Sequence, residues 1–115
     1  MSRLMRIRKG RDFESVYQEG AVIRGPLFVV RMKRGDEGPT RWAFAVGKRL
    51  DKRSAARNRL RRRLREAAAR QVDAPSGALI LTARGPAMDV SVEALTRELT
   101  RMLARVVTPA GSAAS

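Results

Sequence analysis

The chain has 115 residues, with 25 Lys or Arg against 11 Asp or Glu and no His, a formal charge of +14. That length suits one domain of about 100–150 residues, and the lack of Cys and His excludes disulfides, thiolate or imidazole catalysis and an ordinary zinc site. Apolar runs stop at four or five residues where a membrane span needs about 20, and Met1 to Arg6 holds no secretory apolar core, so the expectation is a cytoplasmic protein with a polyanionic partner.

Residues 1–9 read as a basic arm. Between Arg11 and Glu19, Phe13, Val16 and Tyr17 recur at helical spacing, and Gly20 stands where a left-handed residue would end the helix. An extended stretch at 21–24 precedes Leu27 to Lys33, whose Phe and Val content predicts a strand. Gly35 to Pro39 is a turn. From Arg41 to Gly47 the residues alternate, with Trp42, Phe44 and Val46 on one side and Ala43, Ala45 and Gly47 on the other. The first side is core; the small side is either close-packed or the floor of a groove.

Ser54 to Gln71 is the strongest helical segment, broken by Asp73-Ala74-Pro75-Ser76-Gly77. A strand over 78–83 leads to Arg84-Gly85-Pro86. Ser91 then caps a last helix that carries Val92, Leu95, Leu99, Met102, Leu103 and Val106 on one stripe. Residues 108–115 are small and uncharged and read as a disordered tail. The order α-β-β-β-α-β-α over residues 1–107 is that of a single α+β domain.

The charge is not spread evenly. Residues 1–11 hold five bases and no acid, residues 48–65 hold ten bases against Asp51, and the other 86 residues balance. A surface tuned only for solubility intersperses both signs, whereas two concentrated patches are the footprint of nucleic-acid binding. On a helix through 54–71, Ala56, Leu60, Leu64, Ala67 and Ala68 share the face that packs inward, and Asn58, Arg61, Arg62 and Arg65 lie opposite. Arg59, Arg63 and Arg70 border one edge, and Arg57 the other. Like charges four residues apart, such as Arg57 and Arg61 or Arg61 and Arg65, each cost roughly 0.2–0.5 kcal/mol. Several together call for a counter-charge outside the chain, and phosphates supply it.

Asn58 among the arginines is either a locally bonded surface residue or a directional contact to a ribose hydroxyl or base edge. Phe13 and Tyr17, four apart on one helical face, are either core anchors or a stacking platform for unpaired bases. No carboxylate constellation is spaced to hold metal for phosphoryl transfer, and no Gly-rich phosphate loop is present. The chain reads as a binder of nucleic acid without a catalytic centre of its own.

The stretch Ala56-Arg57-Asn58-Arg59-Leu60-Arg61-Arg62-Arg63-Leu64-Arg65-Glu66-Ala67 closely resembles the protein subunit of bacterial ribonuclease P, which carries an Arg-Asn-Arg signature on a helix. Arg11-Asp12-Phe13 through Tyr17 and Gly20, Phe28-Val29-Val30, Ala45-Val46-Gly47-Lys48-Arg49 and Ala83-Arg84-Gly85-Pro86-Ala87 resemble other family segments in order. The resemblance implies a two-layer α-β sandwich with a mixed sheet of about four strands and a left-handed β-α-β crossover, against the usual rule. It implies a catalytic RNA as partner, with the magnesium ions of the reaction carried mainly by that RNA, and precursor tRNA as the substrate whose 5′ leader is removed. Arg57, Asn58, Arg59, Arg61, Arg62 and Arg65 are the implied contacts to the catalytic RNA, with Lys48, Arg49, Lys52 and Arg53 beside them. Phe13 and Tyr17, flanked by Arg11 and Arg31 and floored by Ala43 and Ala45, are the implied cleft for the single-stranded leader.

Two positions depart from the family pattern. Gly47 stands where Ser is frequent, and Arg31 where some members carry a cleft aromatic, so one stacking contact is exchanged for a phosphate-type contact. The free protein is expected to bind sulfate or phosphate, with no expectation about its oligomeric state. A ribosomal or nucleoid-type structural protein shares the charge logic. A membrane-surface helix does not fit, because the apolar face of 54–71 is mostly Ala with two Leu.

Overall fold

The computed structural model describes residues 4–35 and 38–107, the side chains of Val106 and Val107 excepted. The predicted tail at 108–115 and the acidic tip of the turn at Asp36 and Glu37 lie outside the described residues.

In chain order the elements are β1 (Met5–Arg6), α1 (Gly10–Glu19), β2 (Ala21–Arg24), β3 (Phe28–Arg34), β4 (Thr40–Ala45), α2 (Ser54–Ala69), β5 (Gly77–Ala83) and α3 (Val92–Val107), with a 3₁₀ turn at Gly85–Asp89. The sheet runs β1-β4-β5-β3-β2. It is mixed: β4 pairs parallel with both β1 and β5, while β3 pairs antiparallel with β5 and β2. Helix α2 links the parallel neighbours β4 and β5, the connection of a β-α-β crossover. The sheet has five strands among the described residues where about four are expected. The extra one is β1, inside the supposed arm: Met5 pairs with Arg41 and Arg6 with Trp42, Ile7 N–H donates to Trp42 O at 3.0 Å, and Ile7 is buried.

Central strand β5 is buried on both faces, which its unbroken apolar run Ala-Leu-Ile-Leu reflects. Leu79 and Leu81 join Phe28, Val30, Met32 and Trp42 under the layer of α2 and α3, from which Leu60, Leu64, Leu95 and Leu99 enter the same core. That layer and the sheet form the two-layer sandwich. Its helix faces follow from periodicity: Ala56, Leu60, Leu64, Ala67 and Ala68 are the buried residues of α2. On the opposite face a smaller cluster of Ile7, Val16, Ala78 and Ile80, with Phe13 and Ala43 against it, seats α1. Arg41 to Asp12 at 3.1 Å and Lys33 to Ser15 and Glu19 tie α1 down at its polar edge.

Two glycines are dictated by geometry. Gly77 opens β5 at φ +132°, a region that side chains rarely adopt. Gly20 is not the left-handed cap that its position predicts: its φ is −77°. Space requires it instead, since a Cβ there would lie 2.5 Å from Val16 O and 2.7 Å from Met32 O. Ser91 caps α3 as expected, its Oγ accepting from Ala94 N–H at 3.1 Å. Helix α2 ends at Ala69, two residues early, and Gln71 Nε2 donates to Ala67 O at 3.2 Å just past its end.

Candidate nucleic-acid interface

The turn from Gly47 to Arg53 launches α2. Leu50 N–H donates to Gly47 O at 3.1 Å, and Lys48, Arg49 and Lys52 stand exposed. Asp51 then accepts three bonds from Arg53: from the backbone N–H at 2.8 Å, Nε at 3.0 Å and Nη2 at 2.8 Å. Those side-chain and backbone donors hold the Asp51 carboxyl well below the usual carboxylate range. Arg53, expected as an RNA contact, therefore carries its counter-ion within the chain. A Cβ at Gly47 would meet nothing closer than Arg49 N at 4.0 Å, so no crowding excludes a larger residue there.

Along α2 the arginines divide into three sets. Arg57 and Arg63 are half-buried at the borders of the apolar face. Arg63 Nη2 donates to Met88 O at 3.0 Å, while Arg57 Nε and Nη1 are buried with no hydrogen-bond partner among the described residues. Arg59 and Arg62 are exposed and line, with Ala55 and Asn58, an open hollow of about 490 Å³ on the outer face. Arg61 and Arg65 line that hollow too, and also a second space.

The second space is a groove of about 230 Å³ where α1, β1, β4 and α2 meet. Phe13 and Tyr17 of α1 form one side, Ala43 and Ala45 lie in its floor, and Arg6, Arg61 and Arg65 supply positive charge. Phe13 packs against the Ile7, Val16, Ala78 and Ile80 cluster and also lines the groove. Tyr17 is half exposed, and the Arg31 guanidinium lies over its ring at 5.1 Å from the centroid. The small face of β4 is likewise both things: Ala43 packs under α1 and borders the open space. Arg11 is exposed on the first turn of α1 and does not line the groove.

Flat apolar and aromatic surface beside unpaired guanidinium is the chemistry that holds a single nucleic-acid strand, bases on one side and phosphates on the other. The ribonuclease P family profile matches residues 1–107. The chain belongs to the ribonuclease P protein family. The ribonuclease P protein component of Rippkaea orientalis is 27% identical over 110 residues, covering 90% of this chain and 87% of that protein. That of Staphylococcus carnosus is 31% identical over 106 residues, covering 90% of each. The fold agrees with the Staphylococcus aureus RNase P protein at a TM-score of 0.76 and 25% identity, covering 90% of this chain and 96% of that one. The Thermotoga maritima RNase P protein gives 0.75 at 25% identity, covering 87% and 96%.

Of the ribonuclease P residues expected from sequence, Asn58, Arg59, Arg61, Arg62 and Arg65 share one face of α2, and Phe13, Tyr17, Ala43 and Ala45 share the groove. Arg6 was missed as a groove residue, its signal being only that Arg6 and Arg8 alternate with Met5 and Ile7. Also missed was the use of Asn58, whose Oδ1 accepts from Arg61 Nη1 at 2.7 Å. Among the described residues no three His, Cys, Asp or Glu side chains converge to hold a metal ion, and the groove's charged groups are all cationic, so no step is assigned to a metal on this chain. No helix among the described residues is long and apolar enough to cross a membrane.

Proposed function

We propose that this ribonuclease P protein binds the catalytic RNA of the holoenzyme through the outer arginine face of α2 and seats the single-stranded 5′ leader of precursor tRNA in the groove beside it. The observation that carries this reading is the adjacency of the two surfaces. Phe13, Tyr17, Arg61 and Arg65 line one groove, and the same two arginines also line the hollow shared with Arg59 and Arg62. A protein built this way brings two RNAs together in a fixed relation, with bases stacked and phosphates neutralised. Cleavage of the phosphodiester at the tRNA 5′ end then falls to the RNA, which carries the magnesium ions, and the protein acts where precursor tRNA is made, in the cytoplasm.

The test is reconstitution. With cognate catalytic RNA at low Mg²⁺, adding the protein should restore 5′ maturation that the RNA alone performs poorly, and RNA-free protein should cleave nothing. Turnover of precursor tRNA by the protein alone would overturn the reading. A ribosomal or nucleoid role would instead appear as co-purification with ribosomes or duplex DNA and no activation of the RNA.

A further inference from the structure

Val72 is the most exposed large apolar side chain among the described residues, at 91%, and it lines neither of the surfaces assigned to RNA. It stands on the turn between α2 and β5, and that turn is braced. Gln71 Nε2 donates to Ala67 O at 3.2 Å and to Thr96 O at 3.4 Å, and Gln71 Oε1 accepts from Thr100 Oγ1 at 3.0 Å. These bonds tie the turn to α2 and α3, so Val72 is displayed on a fixed backbone. On one side Val72 borders a hollow of about 290 Å³ over Thr100 and Leu103. On the other it borders a hollow of about 220 Å³ lined by Leu4, Met5, Ala69 and Ala74 among others, and Met5 is half exposed.

The patch differs from the rest of the surface in charge. Of the residues lining the two hollows only Arg70 and Asp73 are charged, and they sum to zero on a chain of +14. Arg70 already contacts Glu66 at 3.3 Å and Glu93 at 3.7 Å, whereas Asp73 is exposed with no ion pair among the described residues. A neutral apolar patch is the place where two strongly cationic bodies meet with least repulsion.

We propose that this patch is a self-association surface, on which a second copy of the chain docks about a two-fold axis. A two-fold interface sets one patch against itself, so a projection and a recess must lie side by side on the same surface. Val72 is the projection and the hollow over Leu103 is the recess. The Val72 of each copy enters the hollow of the other, which removes both apolar surfaces from water, and Asp73 meets Arg70 of the partner subunit. The bonds of Gln71 lower the ordering cost of docking because the turn is already fixed. The hollow over Leu103 shares no lining residue with the groove or with the outer arginine hollow, so a dimer keeps both RNA surfaces open on each copy.

The test is sedimentation velocity of the nuclease-treated full chain over a concentration series at low and high salt. The dimer should grow with concentration and with salt, because ions screen the repulsion between two +14 chains and leave the apolar contact intact. An assembly bridged by nucleic acid has the opposite sign and dissolves as salt rises. At high salt Val72→Glu should raise the dimer dissociation constant at least about tenfold, since each copy would then place a carboxylate in an apolar hollow. Asp73→Lys should raise it about two- to tenfold, the size of two exposed ion pairs. Val22→Glu, the same kind of change at the exposed apolar residue of β2, should leave it within about twofold. Circular dichroism melts of each variant separate a folding effect from a docking effect. A monomer at every concentration and salt, a dimer that Val72→Glu leaves intact, equal losses in Val72→Glu and Val22→Glu, or an assembly that weakens with salt would each overturn the proposal. An Asp73→Lys variant that dimerises unchanged would overturn the contact with Arg70.

Discussion

The guanidinium of Arg31 covers the ring of Tyr17 at 5.1 Å from its centroid, joining the middle of β3 to the last turns of α1. The pair sets cation and aromatic surface at one point of the open sheet face, where Tyr17 stays half exposed. A base stacked on Tyr17 would bring its phosphate within reach of a charge already anchored on the protein. Tyr17→Ala should therefore weaken binding of precursor tRNA by about 1–3 kcal/mol, roughly 5- to 150-fold, without affecting mature tRNA. Arg31→Gln should act differently, lowering the salt dependence of precursor binding by about 0.7 in slope, one phosphate contact on a single strand. Titrations of the two tRNAs over a range of salt separate the effects. Equal losses on both tRNAs would remove the pair from the leader path.

Phe13 borders both the core and the groove, and what it does in each can be separated by size. It packs against the cluster of Ile7, Val16, Ala78 and Ile80 while also lining the groove. Phe13→Ala should cost about 1–3 kcal/mol of stability, less than a fully buried Phe, together with a loss of precursor affinity. Phe13→Leu conserves most of the apolar volume and should cost less than about 1.5 kcal/mol while still losing the stacking surface. Urea denaturation beside precursor binding checks this, and full precursor affinity in Phe13→Leu would confine the residue to packing.

How far this architecture was legible in the sequence depends on where each element's partner lies. Helix α2 was legible because Leu60, Leu64 and the alanines repeat at 3.6 residues and the buried face needs nothing from elsewhere to be recognised. Strand β1 was not, because two residues carry no period; it forms only through Arg41 and Trp42, which are remote in sequence. Gly20 was assigned correctly as a helix end but for the wrong reason, since what demands it is crowding by Val16 O of its own helix and by Met32 O of β3, the second invisible in a local reading. The groove was half legible. The small face of β4 announced either packing or a floor, and only the path of α1 across Ala43 makes it both. The inward turn of Asn58 was hidden altogether, because a helical wheel gives the direction of Cβ and not the bond its oxygen makes with Arg61.

The outer arginines should differ from Arg53 in what they lose. Arg59 and Arg62 are exposed with no ion-pair partner among the described residues, so Arg59→Ala or Arg62→Ala should lower the salt slope of catalytic-RNA affinity by about one. Arg53 is already paired to Asp51 at 2.8 Å, and a phosphate would have to displace that carboxylate. Arg53→Ala should therefore change the slope by clearly less than one. Fluorescence titrations at several salt concentrations decide this, and equal slopes for all three variants would mean that the Asp51 pair opens on binding.

Asp51 makes a prediction about pH. Its carboxyl is held well below its unfolded value, mainly by the hydrogen bonds from the Arg53 side chain and backbone. A depressed carboxylate contributes stability that is fully present above its unfolded pKa of about 3.9 and is lost as pH falls through the lower folded value. Asp51→Asn retains a weaker backbone acceptor but not the ion pair, so it should be less stable than the native protein at pH 7. That difference should shrink below about pH 4, as the native carboxylate begins to protonate on unfolding and then in the folded state. Denaturant midpoints of the two proteins at pH 7, 5 and 3 test it, each difference taken at one pH so that the general charging of a +14 chain cancels. A constant difference across the three would show that the turn is held by its backbone bond at 2.8 Å alone and not by the charge on Asp51.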